Sequence, residues 1–285
     1  MRGIQESHKG EKTVKSYFCA LTIAGSDSGG GAGIQADLKT FAALGVFGMS
    51  AITALTAQNT RVVTGIFPVP AKFIGDQIDA VMEDIGCDAV KIGMLHSPEV
   101  IEVVAAKLEQ WRCTNVVVDP VMISKSGDNL LLEDAVTALR ERLFPLAALI
   151  TPNLPEASAL LGHRVETPDQ MPDAARALAD LGPANVLIKG GHLKGQSSHD
   201  LLYETARGTM ETFPADRINT SNSHGTGCTL SSAIAAGLAR GLDLNRAVAE
   251  AKAYITGALR AGADYRTGKG HGPVHHFYNL WKNKY

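Results

Sequence analysis

Along this chain, short unbroken apolar runs alternate with longer stretches in which apolar positions recur every three or four residues. The runs predict buried strands at 18–24, 50–55, 62–69, 89–92, 116–118, 147–150 and 186–188. The helical spacing predicts helices at 34–44, 73–84, 98–111, 133–143, from 155 onward, 172–181, 229–240 and 245–262. Ser97 followed by Pro98 marks one helix start, because a hydroxyl caps free N–H groups and proline suits the first helical position. Segments 201–203 and 210–213 read as a small hairpin. Strands alternating with helices of ten to fifteen residues imply right-handed βαβ units and an α/β fold with a mostly parallel sheet. Strands apolar throughout are expected to be covered by helices on both faces. No linker interrupts residues 17–285, so one domain is expected there, after a polar extension at 1–16.

Composition narrows the function. The 285 residues are 45% hydrophobic and 20% charged, as in globular proteins. Surface scaling lets a chain of this size bury roughly 73% of its surface, enough for a core without staples. The net charge of −2 and the lack of a long Lys/Arg run argue against nucleic acid as a partner. The four cysteines form no C-x-x-C pair, which suits reduced thiols in a cytoplasmic protein. No apolar run approaches the ~18 residues of a membrane-spanning helix, and the start has no apolar leader segment.

Candidate chemistry gathers where ligands bind in open α/β sheets, beyond the carboxyl ends of the strands. Those ends read Gly25-Ser26-Asp27, Gly93-Met94, Asp119-Pro120, Asn153-Leu154-Pro155-Glu156 and Lys189-Gly190-Gly191. The most specific signal is His224-Gly225-Thr226-Gly227-Cys228 opening a helix. Small residues there turn N–H groups outward at the positive end of a helix dipole, which makes an anion site, most simply for phosphate. Cys228 in the first helical turn is expected to have a lowered thiol pKa, unless it is an inert buried thiol. Gly29-Gly30-Gly31-Ala32-Gly33 is a weak dinucleotide fingerprint, because no acid occurs between Asp37 and Asp76. It reads better as a flexible loop, 26–33, closing over a small ligand. Asn153 and Glu156 could hold hydrated Mg²⁺, with Asp119 supporting them, or could simply start a helix. His271, His275 and His276 fit no zinc spacing and read as structural.

These motifs together resemble the bacterial hydroxymethylpyrimidine/phosphomethylpyrimidine kinases of thiamine biosynthesis, in the ribokinase-like superfamily. The carrying segments lie at 20–27, 30–40, 52–60, 91–95, 125–128, 149–157, 189–192, 224–230 and 270–277. The resemblance implies a three-layer α/β/α ribokinase-like fold, a homodimer, and phosphorylation by ATP and Mg²⁺. It implies that 4-amino-5-hydroxymethyl-2-methylpyrimidine becomes first a monophosphate and then a diphosphate. It places Gln58 on the amino and ring-nitrogen edge of the pyrimidine, Asp37 near the hydroxymethyl group, and Gly25, Thr56, Met94 and Val121 around the ring. Thr56 stands where some relatives carry valine. Asn153 and Glu156 match a Mg²⁺-associated pair, Lys189 a nucleotide-side lysine, and Gly225, Thr226 and Gly227 an anion hole. Cys228 stands where most of the superfamily has an aspartate base.

Four other readings compete, the weakest a non-catalytic binding module, which the intact phosphate-handling positions disfavour. A pyridoxal kinase would use a similar ring hydroxymethyl group, and Gln58 favours the aminopyrimidine because its amide offers both a donor and an acceptor. An oxidoreductase would rest on Gly31-x-Gly33 and lacks the acid for the ribose. A thiol hydrolase would pair Cys228 with His224, at a spacing unsuited to a relay.

Overall fold

Each apolar run becomes a strand in the computed structural model, which describes residues 15–122, 133–193 and 197–281. Most of the 1–16 extension and the 125–128 motif lie outside the described residues. The strands are β1 (Cys19–Asp27), β2 (Phe47–Gln58), β3 (Val63–Pro68), β4 (Ala89–Ile92), β5 (Val116–Val118), β6 (Leu149–Ile150), β7 (Asn185–Ile188), β8 (Ser197–Glu204) and β9 (Thr209–Asp216). The helices are α1 (Gly33–Ala43), α2 (Ala71–Asp84), α3 (Pro98–Gln110), α4 (Glu133–Ala138), α5 (Leu154–Leu161), α6 (Met171–Ala179), α7 (Thr226–Ala239) and α8 (Leu244–Gly262).

The strands form one sheet in the order β3-β2-β1-β4-β5-β6-β7-β8-β9. The pairs from β2 through β7 are parallel, while β3 and the β8–β9 hairpin run antiparallel at the two edges. Successive residues of a strand point to opposite faces. Val116, Val118, Val186 and Ile188 therefore join a core with α2 to α6, and Val117 and Leu187 join a second core with α1, α7 and α8. This is the three-layer α/β/α ribokinase-like fold.

Ser97 caps α3 as expected, its hydroxyl accepting from Val100 N, with Pro98 at the first helical position. Four expectations change. Gly25 and Ser26, assigned to a loop, continue β1 as far as Asp27, and the register against β2 shifts between Ala24 and Ser26. That irregularity re-aims the strand end at the site. The edge strand β3 has neither face covered, so Ile66 and Phe67, which point to opposite faces, are both exposed. The helix expected at 133–143 is α-helical only to Ala138 and widens to a π-helix over Leu139–Leu143. The hairpin strands are much longer than the apolar residues in them, because backbone pairing extends through polar positions.

Candidate active site

Beyond the carboxyl ends of the parallel strands lies a cavity of about 740 Å³. It runs from Gln58 and Met94 at one end, under the start of α7, to Ile218, Ile255 and Leu259 at the other. Its size suits two small ligands side by side.

Two lysine–aspartate pairs sit beneath its middle. Lys91 Nζ on β4 donates to Asp37 Oδ2 at 2.9 Å, and neither side chain has any exposure. Asp37 also accepts from Thr22 Oγ1 at 2.7 Å and Ser232 Oγ at 2.6 Å. Lys189, following β7, donates to Asp119 Oδ1 at 2.5 Å, and lies 3.8 Å from Glu156 Oε2. Asp119, Glu156 and Lys189 all line the cavity. Burial works against both charged forms, but the attraction prevails: Lys189 is held above the usual lysine range and Asp119 below the usual carboxylate range. Glu156 is pushed up to about 7, first by burial and then by Asp119, with Lys189 opposing. Its Oε2 accepts from Asn153 N at 2.7 Å while Asn153 Oδ1 accepts from Glu156 N at 2.9 Å, a reciprocal cap that starts α5. Asn153 is thus spent on the helix start. Two carboxylates facing one lysine leave a deficit of positive charge, and Asp119 Oδ2 accepts only a long 3.5 Å bond from Ser231 Oγ. Asp119 and Glu156 fit a divalent cation held partly through water.

The turn that opens α7 brings small residues and backbone N–H groups to the cavity beside these carboxylates. Gly225 caps α7 with φ +77°, a left-handed conformation that glycine adopts without strain. A Cβ on Gly225 would lie 1.8 Å from Gly31 O, so the turn and the glycine loop are packed backbone to backbone. A Cβ on Gly227 would stand 3.4 Å from Lys189 Nζ, which places that ammonium against the first turn of α7. Cys228 lies among these features, and the backbone N–H of Gly33 favours its thiolate form. The thiol expected to have a lowered pKa is instead pushed up to about 11. Burial is the main cause, and Asp37 and Asp119 add to it, outweighing Lys91 and the Gly33 backbone N–H.

At the other end, Gly25, Thr56, Met94 and Val121 surround a recess beside Gln58. Any side chain on Gly25 would meet Met94 Cε at 2.6 Å, so the glycine makes room for the methionine. The loop expected to be flexible is fastened. Asp27 accepts from Gly29 N, Gly31 N and Ala32 N at 2.8, 3.0 and 2.8 Å, and Lys39 Nζ donates to Gly30 O. His224 Nε2 completes the cage, 2.8 Å from Asp27 Oδ2. Burial raises the Asp27 pKa, but His224 and the backbone donors hold it below the ordinary value. The Gly31 and Gly33 positions serve these close approaches: a Cβ would meet His224 Cδ2 at 2.4 Å and Gly25 O at 2.3 Å, respectively. The dinucleotide reading of the loop loses its support.

Of the predicted site residues, all but one line the cavity. The exception is Asp37, expected beside the substrate's hydroxymethyl group. It lies behind the wall, fully buried, with its oxygens accepting from Lys91, Thr22 and Ser232. The histidines near the C-terminus disperse. His276 Nε2 meets Thr229 Oγ1 at 3.0 Å, His275 packs against Tyr265 and Trp281, and His271 faces Ser221 O. Sequence reasoning missed Lys252 and Asp200, a buried pair 2.7 Å apart on the cavity wall. A signal existed, since Lys252 interrupts the apolar face Val248–Ala251–Ile255 of α8. It also passed over the Asp27–His224 contact, which spans 197 residues of chain.

Comparison with known proteins agrees with this geometry. Residues 27–275 match the family model described as phosphomethylpyrimidine kinase. The chain is 53% identical over 265 residues to the hydroxymethylpyrimidine/phosphomethylpyrimidine kinase of Rhizobium meliloti, covering 93% of this chain and 98% of that one. It is 56% identical over 256 residues to a thiamine biosynthesis bifunctional protein of Geobacter sulfurreducens, covering 90% of this chain and about half (51%) of that longer protein. Among solved structures, Bacillus subtilis pyridoxal kinase bound to ADP has a TM-score of 0.86 at 40% identity, covering 94% of this chain and all of that one. Clostridium difficile phosphomethylpyrimidine kinase has a TM-score of 0.74 at 47% identity, over 84% and 97%. Pyridoxal kinase of Staphylococcus aureus bound to AMP-PCP and pyridoxal has a TM-score of 0.85 at 35% identity, over 93% and 96%. A sulfur-bearing anion turn above a lysine-bridged carboxylate pair, in a chain this similar over nearly its whole length, makes this protein a member of the phosphomethylpyrimidine kinase family.

Proposed function

We propose that this protein is a hydroxymethylpyrimidine/phosphomethylpyrimidine kinase, transferring phosphate from ATP to 4-amino-5-hydroxymethyl-2-methylpyrimidine and then to its monophosphate. The observation that carries the reading is one cavity joining an amide-bearing ring recess to an anion turn. Gln58 beside Met94 and Gly25 suits a flat ring with a donor–acceptor edge. The apolar end at Ile218, Ile255 and Leu259 suits an adenine.

Phosphoryl transfer asks a protein mainly to position groups and stabilise charge. The N–H groups of Gly227 and Cys228 and the ammonium of Lys189 receive the transferred phosphate, while Thr226 N–H holds the turn through Ser223 O. The substrate hydroxyl oxygen forms the new bond to phosphorus as the bond to ADP breaks, and its proton passes to the Cys228 sulfur as thiolate. Burial keeps that thiol protonated in the resting site, so the competent fraction grows with pH. Asp37 acts from behind, balancing Lys91 beside Cys228. Asp119 and Glu156 would hold Mg²⁺, which when bound supplies positive charge to the phosphates.

The second reading, a pyridoxal kinase, is favoured by the high fold similarity to two such enzymes. ADP release with Mg-ATP decides between them, offering the pyrimidine alcohol, its monophosphate and pyridoxal in parallel. Turnover on both pyrimidines is expected; turnover on pyridoxal alone overturns the assignment. We read the functional unit as a homodimer, with a second copy over the exposed β3 edge, where Leu55, Ile66 and Phe67 would otherwise leave an open apolar strand. A monomeric mass in sedimentation equilibrium would refute it. The four cysteines are unpaired, which suits a reducing cytoplasm.

A further inference from the structure

The hydrogen bonds around Gln58 do not balance as they first stand. The amide nitrogen lies 3.3 Å from His224 Nε2, and the amide oxygen 3.2 Å from Thr56 Oγ1. Amide nitrogen and oxygen have the same shape, so their identities are fixed by their partners. His224 Nε2 lies 2.8 Å from an Asp27 carboxylate oxygen that also takes two backbone N–H bonds. A carboxylate offers no proton, so the hydrogen is on Nε2, and that atom can only donate. It therefore faces an oxygen of Gln58, not an –NH₂. Thr56 gives the same answer independently. Its one hydroxyl hydrogen goes to Ser26 O at 2.7 Å, so toward Gln58 it can only accept. Turning the amide by 180° satisfies both neighbours. Its oxygen then shares the Nε2–H with Asp27, and one N–H donates to Thr56.

We propose that Asp27–His224 on one side and Ser26–Thr56 on the other form a specificity device, fixing the Gln58 amide in a single orientation. One N–H and one oxygen lone pair remain for a ligand, in fixed order along the cavity wall. A ring edge with an acceptor beside a donor matches that order, and a ring lacking the donor leaves the oxygen lone pair unanswered. His224 and Thr56 are positioning residues that act through Gln58. His224 immediately precedes Gly225, so the residue that sets ring choice also adjoins the anion turn. This deepens the aminopyrimidine kinase reading and rests on it.

The test measures discrimination rather than activity. kcat/KM is compared for 4-amino-5-hydroxymethyl-2-methylpyrimidine and for the same alcohol without its 4-amino group. In His224→Phe the preference for the amino compound falls at least about fivefold, because an amide freed from one partner can turn to suit either ring. The KM for ATP stays within about twofold. His224→Gln, whose side-chain N–H can still donate to Asp27, restores part of the preference. Thr56→Val lowers it by a smaller factor, and serves if His224→Phe does not fold. The proposal is overturned if the variants lose activity on both alcohols equally, which would leave His224 and Thr56 as mere struts of the loop. Failure of the functional reading looks different, since the unaltered protein would then turn over neither pyrimidine.

Discussion

The two lysine–aspartate pairs beneath the cavity have the same chemistry and different work. Lys91 and Asp37 have 0% side-chain exposure each, while Lys189 and Asp119 have 11% and 2% and border open space. Asp37 accepts short bonds at both oxygens from three donors on β1, β4 and α7 and stands outside the cavity lining, so a ligand does not reach it. Asp119 takes Lys189 and Thr151 on one oxygen and leaves the other, beside Gly227, with only a long bond from Ser231, where an incoming phosphate or cation would lie. A buried pair whose carboxylate is held by short bonds at both oxygens ties elements together. A buried pair with one valence open, beside a second carboxylate, is chemically poised. The difference lies in the third and fourth neighbours, not in the pair.

The comparison breaks most sharply at the lysines. Lys91→Met strands Asp37 with no water to reach, and breaking such a pair costs about 3–5 kcal/mol of stability. Lys189→Met leaves Asp119 at a cavity wall where water enters, so folding suffers less, while loss of a cation aimed at the transferred phosphate lowers kcat by about 10²–10³. Urea unfolding and turnover on each variant check this. If Lys189→Met unfolds and Lys91→Met merely slows turnover, the two pairs have been assigned the wrong way round.

Cys228 feels both pairs, and sharpens the contrast next. Lys91 lowers its pKa, Asp37 and Asp119 raise it, and burial sets the sign, giving a value of about 11. The thiolate fraction therefore rises steadily from pH 7 to 9. Where transfer limits the rate, kcat climbs with it, close to tenfold per unit well below the pKa. Cys228→Ala loses at least about a hundredfold and flattens the profile. A wild-type profile that is flat from pH 7 to 9 would leave the sulfur as a steric fixture.

These two regions also mark what the sequence could reveal. The sheet and most helices were legible because apolar runs and helical spacing report directly on burial. The anion turn was legible because Gly225-Thr226-Gly227 before a helix has one simple electrostatic meaning. The burial of Asp37 was not legible for a physical reason: a family match places a residue near the substrate without saying which donors hold its oxygens. The Cys228 shift was misjudged because a position in a helical first turn reveals the dipole but not the desolvation. Asp27 and His224 each stood in a recognised motif, yet their contact depends on the close approach of two glycine-bearing loops, which only the fold defines.

Glu156 offers the finest test of an open valence. Its folded pKa of about 7 lies above the ordinary carboxylate range because burial and Asp119 disfavour its charge more than Lys189 favours it. A raised carboxyl pKa contributes stability below the ordinary value, and that contribution is lost as pH rises through about 7. At pH 8 the empty protein thus carries an unfavourable charge that Glu156→Gln removes, while the amide oxygen can still accept from Asn153 N. The melting temperature of the empty variant at pH 8 should equal or exceed that of the wild type, with the gap closing toward pH 5. A cation reverses the balance. Mg²⁺ binds the carboxylate form, so its affinity, read by calorimetry with ADP present, increases from pH 6 to pH 8 in the wild type. In Glu156→Gln it is weaker by about tenfold at pH 8, equivalent to roughly 1.4 kcal/mol, and nearly independent of pH. If the substitution instead lowers the melting temperature at both pH values and leaves Mg²⁺ affinity unchanged, Glu156 is only the cap of α5. The open valence would then belong to Asp119 alone.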